Sequence, residues 1–323
     1  MTLTGEQLDH FDNYGYLKVE GVLDSETFLD PIIAEYHGVL DSLADDLFER
    51  GEISSKHGDL AFGERITRIY EESGAVHNQY FDFSLPQKGI EANTPFWVGP
   101  AIFSTLTNQR LLDVVESVVG PEIYSNPVQH VRIKVPESRA PRTDEGYVQF
   151  GATPWHQDEG VVTEEADATD MLTVWFPLLD ASIENGCLQV IPGTHKGGLL
   201  QHCPGPQGHG LEIPEGTLGR EGARAMPMRR GDILLLNQRT AHAALPNVSE
   251  EVRWSFDLRY HVTGRPTGRP SFPGFVARSR TDPETELHDH VAWQDSWLAA
   301  RDSLAAADDP TYNRWDSDDP ACA

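Results

Sequence analysis

The chain has 323 residues, 39% of them hydrophobic and 24% charged, enough to bury a sizeable core in one large domain or two modest ones. Its 51 acidic residues against 25 basic ones give a formal net charge of −26, which repels a nucleic-acid backbone or an anionic membrane and reads as a heavily solvated surface. The opening "MTLTGEQLDHFDNYGY" has no basic start or apolar h-region, no later stretch has membrane-spanning length, and Cys187, Cys203 and Cys322 lack CxxC spacing and form no paired framework, so a cytoplasmic protein with reduced thiols is expected.

In chain order, Thr4 to Gln7 reads as a capping box for a short helix, and "GYLKVEGVL" then alternates like a strand. Asp30 before Pro31 predicts an N-cap with proline at the first helical position. Ile32, Ile33, Tyr36, Val39, Leu40, Leu43 and Leu47 carry that helix to about Gly51. Residues 52–107 mix Gly, Pro and aromatic residues and predict no element order. "NQRLLDVVESVVGPEI" predicts a helix capped by Asn108 and closed by Gly120 and Pro121. From residue 122 the pattern changes to short β-like runs, "VQHVRIKV", "MLTVWFPLLD", "CLQVIPG", "GDILLLNQ" and "VRWSFDLRYHV", with no helices between them, as in a sandwich or barrel. Residues 197–225 and 262–286 read as long loops, "VAWQDSWLAARDSL" as a helix, and 303–323 as a loosely ordered acidic tail.

Chemistry concentrates in "TPWHQDEG", residues 153–160. An HxD pair is weak evidence alone, because His10 and Asp12, His57 and Asp59, and His156 and Asp158 all form one. The first pair lies in a predicted helix, where residues two apart do not face each other, and the second in a charged loop. His288, Asp289 and His290 read as a surface helix start. His156 and Asp158 end an extended segment, where side chains two apart project to one side and can reach one ion. A nonheme Fe(II) centre needs two imidazoles and a carboxylate on one face, and His242, after the strand-like "GDILLLNQ", is the candidate for the second imidazole. Alone, His242 reads equally as a core or a loop histidine. Eleven residues later, "VRWSFDLRY" puts Arg253, Ser255, Asp257 and Arg259 on the face opposite Val252, Trp254, Phe256 and Leu258. A buried arginine there calls for a carboxylate partner.

The order His156, Asp158, His242, Arg253, with "ENGCLQVIPGTHK" between, resembles the phytanoyl-CoA dioxygenase family of Fe(II)/2-oxoglutarate oxygenases over roughly residues 120–262. The resemblance implies a mainly β fold with flanking helices around a double-stranded β-helix (jelly-roll, cupin-like) core. It also implies a single oxygenase domain over 1–302, with a helical part to 121, the core at about 122–262 and a loop and helix over 263–302. His156, Asp158 and His242 would hold Fe(II), Arg253 the far carboxylate of 2-oxoglutarate, and Ser255 would assist Arg253. Trp175 would line the cosubstrate pocket, and His130 falls where the family also contacts the cosubstrate. Fe(II), 2-oxoglutarate and O2 would then convert a small-molecule substrate, with release of succinate and CO2. Asp158, where halogenating relatives carry a small residue, favours hydroxylation. Ala244 departs from the family's usual hydroxyl residue, and "PGTHK", with His195 and Lys196, is assigned a structural turn. Arg259 either reaches the substrate side or pairs internally with Asp257 or another acid. The acidic surface disfavours a coenzyme-A ester unless Arg132 and Lys134 form a local basic patch; a small polar or natural-product substrate is preferred. Two other readings compete: a cupin-like metal enzyme (isomerase, epimerase or cofactor-independent dioxygenase), and a noncatalytic binding protein on the same fold. The Arg253 interval counts against the first, the intact ligand set against the second, and no oligomeric state follows.

Overall fold

Helix α1 (Gly5–Tyr14) begins at the expected capping box: the Thr4 hydroxyl accepts from the Gln7 backbone, and the Gln7 side chain accepts from the Thr4 N–H. Gly15 ends it at φ 76°, and a Cβ there would press on His195 and Thr240, so this turn into β1 (Tyr16–Val19) requires glycine. The computed structural model describes residues 1–205, 210–307, 314–316 and 318–322.

The cap expected at Asp30 lies six residues earlier. Asp24 accepts from Thr27 N–H at 2.7 Å, and a turn of π-helix (Ser25–Leu29), burying Phe28 and Leu29, runs straight into α2 (Asp30–Glu49). Pro31 stands at the second position of α2, at its junction with the π turn. The segment 52–107, left unordered by its composition, holds α3 (Phe62–Ser73) and α4 (Pro100–Leu106). Helix α5 (Gln109–Val119) follows as expected, with Asn108 accepting from Leu111 N–H at 3.0 Å.

The remaining strands are β2 (Glu122–Lys134), β3 (Leu172–Pro177), β4 (Leu188–Val190), β5 (Cys203–Pro204), β6 (Leu211–Glu212), β7 (Arg224–Met226), β8 (Ile233–Asn237), β9 (His242–Ala244), β10 (Arg253–Val262) and β11 (Phe275–Ser279). An antiparallel sheet runs β1-β8-β3-β10-β2-β11, a second runs β7-β4-β9, and β5 pairs with β6. Two expected loops are therefore corrected. Residues 262–286 contain β11, whose Phe275 and Ala277 are buried in the core, and 197–225 contains β5, β6 and the start of β7; residues 206–209 of that loop lie outside the described residues. Both runs are too short, and too broken by Gly and Pro, to show a period.

Strand β10 divides the molecule. Trp254, Phe256 and Leu258 join Val174, Phe176, Ile133 and residues of α2 to α6 in the main core. Arg253, Ser255, Asp257 and Arg259 face the other way, toward the second sheet, as strand alternation requires. Trp175, Leu234 and Leu236 of the large sheet pack on Leu188, Val190 and Ala244 of the small one, closing one end of the space between them. The β10–β2 register slips between Asp257 and Arg259, where β2 passes through Pro127, which has no N–H to donate to the ladder.

Helix α6 (His290–Ala305), capped by Asp289 accepting from Val291 N–H at 2.9 Å, buries Trp293, Trp297 and Leu304 and runs into the expected acidic tail. Of that tail, 308–313, 317 and 323 lie outside the described residues. The expectation of three unpaired thiols is also corrected: Cys203 and Cys322 form a disulfide, with Cα atoms 5.4 Å apart, and Cys187 alone is free and buried. A separation of 119 residues carries no sequence signal of that proximity.

Trp254 is 1% exposed, stacked on Phe62 at 4.5 Å and edge-on to Tyr36 at 5.3 Å. Trp254→Ala should cost about 3–5 kcal/mol in urea unfolding; a loss below about 1 kcal/mol would contradict this packing.

Candidate active site

His156 and His242 meet as neighbouring backbone rungs, each N–H donating to the other's carbonyl at 3.0 Å, so the segment 155–157 extends β9 sideways. Their rings lie 4.2 Å apart. Each Nδ1 lies 2.9 Å from a carbonyl, Pro154 O for His156 and Thr240 O for His242. A carbonyl only accepts, so both Nδ1 atoms carry the proton and both Nε2 lone pairs are free. Gln157 between the first two candidates is extended, and its side chain turns away to donate to Gly198 O and Arg239 O and to accept from Leu200 N–H. Asp158 therefore returns to the His156 side. Its Oδ1 is 3.9 Å from His156 Nε2 and its Oδ2 3.9 Å from His242 Nε2. The three potential donor atoms lie within 4.8 Å of one another, all buried.

Asp158 is fully buried and held at both oxygens: Oδ1 accepts from Arg259 Nη2 and Oδ2 from the Thr173 hydroxyl. Arg259 also donates to Asp257 at 3.0 Å and to the carbonyl of Val128, in the β2 irregularity beside Pro127, at 2.8 Å. Arg259 thus forms the internal ion pair, and it also lines the larger of the two cavities beside the site. Burial opposes ionisation of Asp158, but the Arg259 guanidinium, helped by the Thr173 hydroxyl, outweighs it and holds the carboxyl well below the usual range. Burial pushes His156 down to about 3 and keeps it neutral. Thr173 was not among the sequence candidates; its signal is position, two residues before Trp175 on the same face of β3.

Arg253 is 1% exposed, and its Nη1 donates to Ser255 Oγ at 2.6 Å. Its Nε and Nη2 have no hydrogen-bond partner among the described residues, and the Trp175 ring, whose buried indole N–H is also unpartnered, lies 5.9 Å from its guanidinium carbon. Burial and nearby Arg132 lower Arg253 to about 9. A buried guanidinium with two unmet donors is a site shaped for an anion. Arg253 and Trp175 line a small cavity of about 20 Å³ with His156, His242, Leu188 and Leu236. His130 is elsewhere: its Nδ1 is 2.8 Å from Asp82, and it lines a second, larger cavity of about 510 Å³. Arg132, Thr153, His156 and Arg259 belong to both walls.

Sequence reasoning also missed a strap formed by the chain's end. Trp315 donates to Gly160 O at 2.6 Å and stacks on His202 at 5.2 Å, Arg314 pairs with Asp167 at 2.7 Å, and Cys322 bonds Cys203. His202 Nε2 in turn accepts from Gln157 N–H at 2.9 Å, between the two HxD residues. A Cβ on Gly160 would come within 2.4 Å of His202.

Two neutral imidazoles and one carboxylate with converging lone pairs fit a divalent first-row metal with open positions, and the unmet donors of Arg253 fit a carboxylate beside it. Residues 11–255 match the family model described as phytanoyl-CoA dioxygenase. The chain is 31% identical over 282 residues to the phytanoyl-CoA dioxygenase domain-containing protein 1 of Rattus norvegicus, covering 79% of this chain and 88% of that one. It is 26% identical over 275 residues to the 1-deoxypentalenic acid 11-beta-hydroxylase of Streptomyces exfoliatus, covering 79% and 80%. In fold it is similar to a non-heme monooxygenase, ThoJ, at a TM-score of 0.58 and 18% identity over 92% of this chain and 96% of the other. It is also similar to the alpha ketoglutarate dependent carbocyclase SnoK, at 0.52 and 18% over 87% and 90%.

Burial raises the Asp257 carboxyl, but Arg132 and Arg259 outweigh it and hold it at about 2, below its ordinary 3.8. A depressed carboxylate stabilises the fold above its unfolded value and loses that contribution as pH falls toward 2. Between pH 5 and pH 2 the wild type should lose about 2 kcal/mol more than Asp257→Asn in urea unfolding; equal losses would discount the pairing. Reducing the disulfide should speed hydrogen exchange through residues 157–167, read by mass spectrometry, and unchanged exchange would mean that the strap does not hold that loop.

Proposed function

The chain belongs to the phytanoyl-CoA dioxygenase family, and on that premise we propose that His156, Asp158 and His242 hold its catalytic Fe(II) and that Arg253 binds the far carboxylate of 2-oxoglutarate. The activity is that of an Fe(II)- and 2-oxoglutarate-dependent dioxygenase of hydroxylase type. When bound, iron and 2-oxoglutarate supply the activation of O2 that oxidises a substrate carbon, with succinate and CO2 as coproducts.

The chain's own residues do the rest. The Pro154 and Thr240 carbonyls fix both imidazoles in the metal-binding tautomer. Arg259 and Thr173 orient Asp158, one on each carboxylate oxygen, each of which keeps a further lone pair with which it would hold the metal. Ser255 and Trp175 hold the Arg253 fork, leaving Nε and Nη2 to receive a carboxylate. Burial of all these groups excludes water from the reacting atoms. His130 borders the larger cavity, and we assign it to the substrate side.

The two antiparallel sheets facing each other across the site support a double-stranded β-helix core within one oxygenase domain over residues 1–302. A relative that hydroxylates 1-deoxypentalenic acid supports a small-molecule substrate. The acidic balance supports no nucleic-acid or membrane partner, and among the described residues no helix is long and apolar enough to cross a membrane. We place the enzyme in the cytoplasm, where thiol buffers oppose the Cys203–Cys322 bond.

The observation that carries this reading is the buried Arg253 with two unmet donors next to the His-Asp-His cluster. Anaerobic titration with Fe(II) and then 2-oxoglutarate should produce the weak visible charge-transfer band of a chelated keto acid. His156→Ala should lose iron, and Arg253→Ala should weaken 2-oxoglutarate binding at least about tenfold. Iron binding without the band, or unchanged 2-oxoglutarate affinity in Arg253→Ala, would overturn the assignment.

A further inference from the structure

The large cavity inverts the charge of the molecule. The chain carries 51 acidic against 25 basic residues, yet the described lining of this cavity includes Arg132, Lys134, Arg259 and Arg269 and a single carboxylate, Asp82. Asp82 is occupied by His130 Nδ1 at 2.8 Å and by the backbone N–H of Val131 at 3.3 Å. Arg259 is occupied by Asp158 and Asp257, and the Lys134 ammonium by Gly151 O and the Thr153 hydroxyl. Arg132 differs. Asp257 takes its Nε at 2.9 Å, while its two terminal nitrogens have no protein partner among the described residues, and its side chain is 27% exposed at the junction of the two cavities. The Asp257 contact fixes the guanidinium plane and leaves the outer fork facing the space that ends at His156.

The charge balance points the same way. Iron and cosubstrate bring two positive and two negative charges, which cancel. Arg132, Lys134, Arg253, Arg259 and Arg269 then stand against Asp82, Asp158 and Asp257, an excess of cationic side chains, and Arg132 has terminal nitrogens open to the large cavity. The rest of the wall is mixed, with Leu85, Val128, Phe150 and Val161 beside Asn78, Gln79, Gln87 and Gln149, and Phe150 is held in the left-handed region at φ 54°, a strained conformation of the kind that clusters at ligand sites. A volume of about 510 Å³ lies within the span usual for small-molecule sites.

We propose that this cavity binds the carboxylate of a compact organic acid as the substrate class, with Arg132 as its anchor and the rest of the molecule lying toward His156. The proposal rests on the oxygenase reading above, which makes this cavity the substrate side.

The test compares 1-adamantanecarboxylate with its neutral isostere 1-adamantanecarboxamide. Each is titrated by calorimetry into anaerobic protein saturated with Fe(II) and 2-oxoglutarate, and in parallel into metal-free protein. The acid should bind about 10- to 100-fold more tightly than the amide. Arg132→Gln should bring the ratio near one, and Arg132→Lys should retain part of it. No binding of the acid, a ratio near one in the wild type, a ratio that survives Arg132→Gln, or displacement of 2-oxoglutarate by the acid would overturn the proposal. The last outcome would place the acid at Arg253. Failure of the oxygenase reading has a separate signature, absence of the keto-acid band, on which the metal-free titration does not depend.

Discussion

The Arg259–Asp158 ion pair is the interaction around which the site is built. A fully buried carboxylate is costly unless it is paired and hydrogen-bonded. Here both oxygens are taken, by a guanidinium that is itself held by Asp257 and the Val128 carbonyl. Removing any member leaves a buried charge exposed to the low dielectric of the interior, so the cluster constrains the whole polar face of β10. That face in turn dictates the architecture. Four consecutive inward positions of one strand are polar or charged, and they are sustainable because the second sheet encloses them and the opposite face, through Trp254, Phe256 and Leu258, anchors the strand in the main core.

Within this frame the guanidinium groups take different tasks through their partners. Arg259 gives both terminal nitrogens to protein acceptors and orients a metal ligand. Arg253 is sealed in with two donors unmet, which selects for a carboxylate. Arg132 is half tied, with its fork open to the larger space. One residue type on two adjacent strands thus supplies a positioning group, a cosubstrate site and a substrate anchor, and the difference lies in which carboxylates the register brings near each. The Ser255 to Arg132 and Asp257 to His130 pairings across β10 and β2 set that distribution.

The end of the chain adds a second constraint on the metal ligands. Trp315 and Arg314 grip the turn that follows Asp158, and His202 holds the backbone of Gln157, all within reach of the Cys203–Cys322 bond. The ligand loop is therefore fixed from outside by a segment whose attachment responds to thiol chemistry.

Much of the site was legible in the chain because it follows from short periods. Residues two apart in an extended segment share a side, which pairs His156 with Asp158 and aligns Arg253, Ser255, Asp257 and Arg259. Capping chemistry likewise located α1 and α5 from Thr4 and Asn108. What no local pattern contains is the partner of each group. That Arg259 meets Asp158 while Arg253 meets no protein acid, that Thr173 completes the clamp, that His130 belongs to the large cavity, and that Cys322 returns to Cys203 all depend on sheet order and chain reversal over about a hundred residues. Sequence alone determined the residue types and the faces they occupy, because alternation is a property of the backbone. Tertiary structure decided which charges are satisfied, because burial and pairing arise only when distant strands are brought into register.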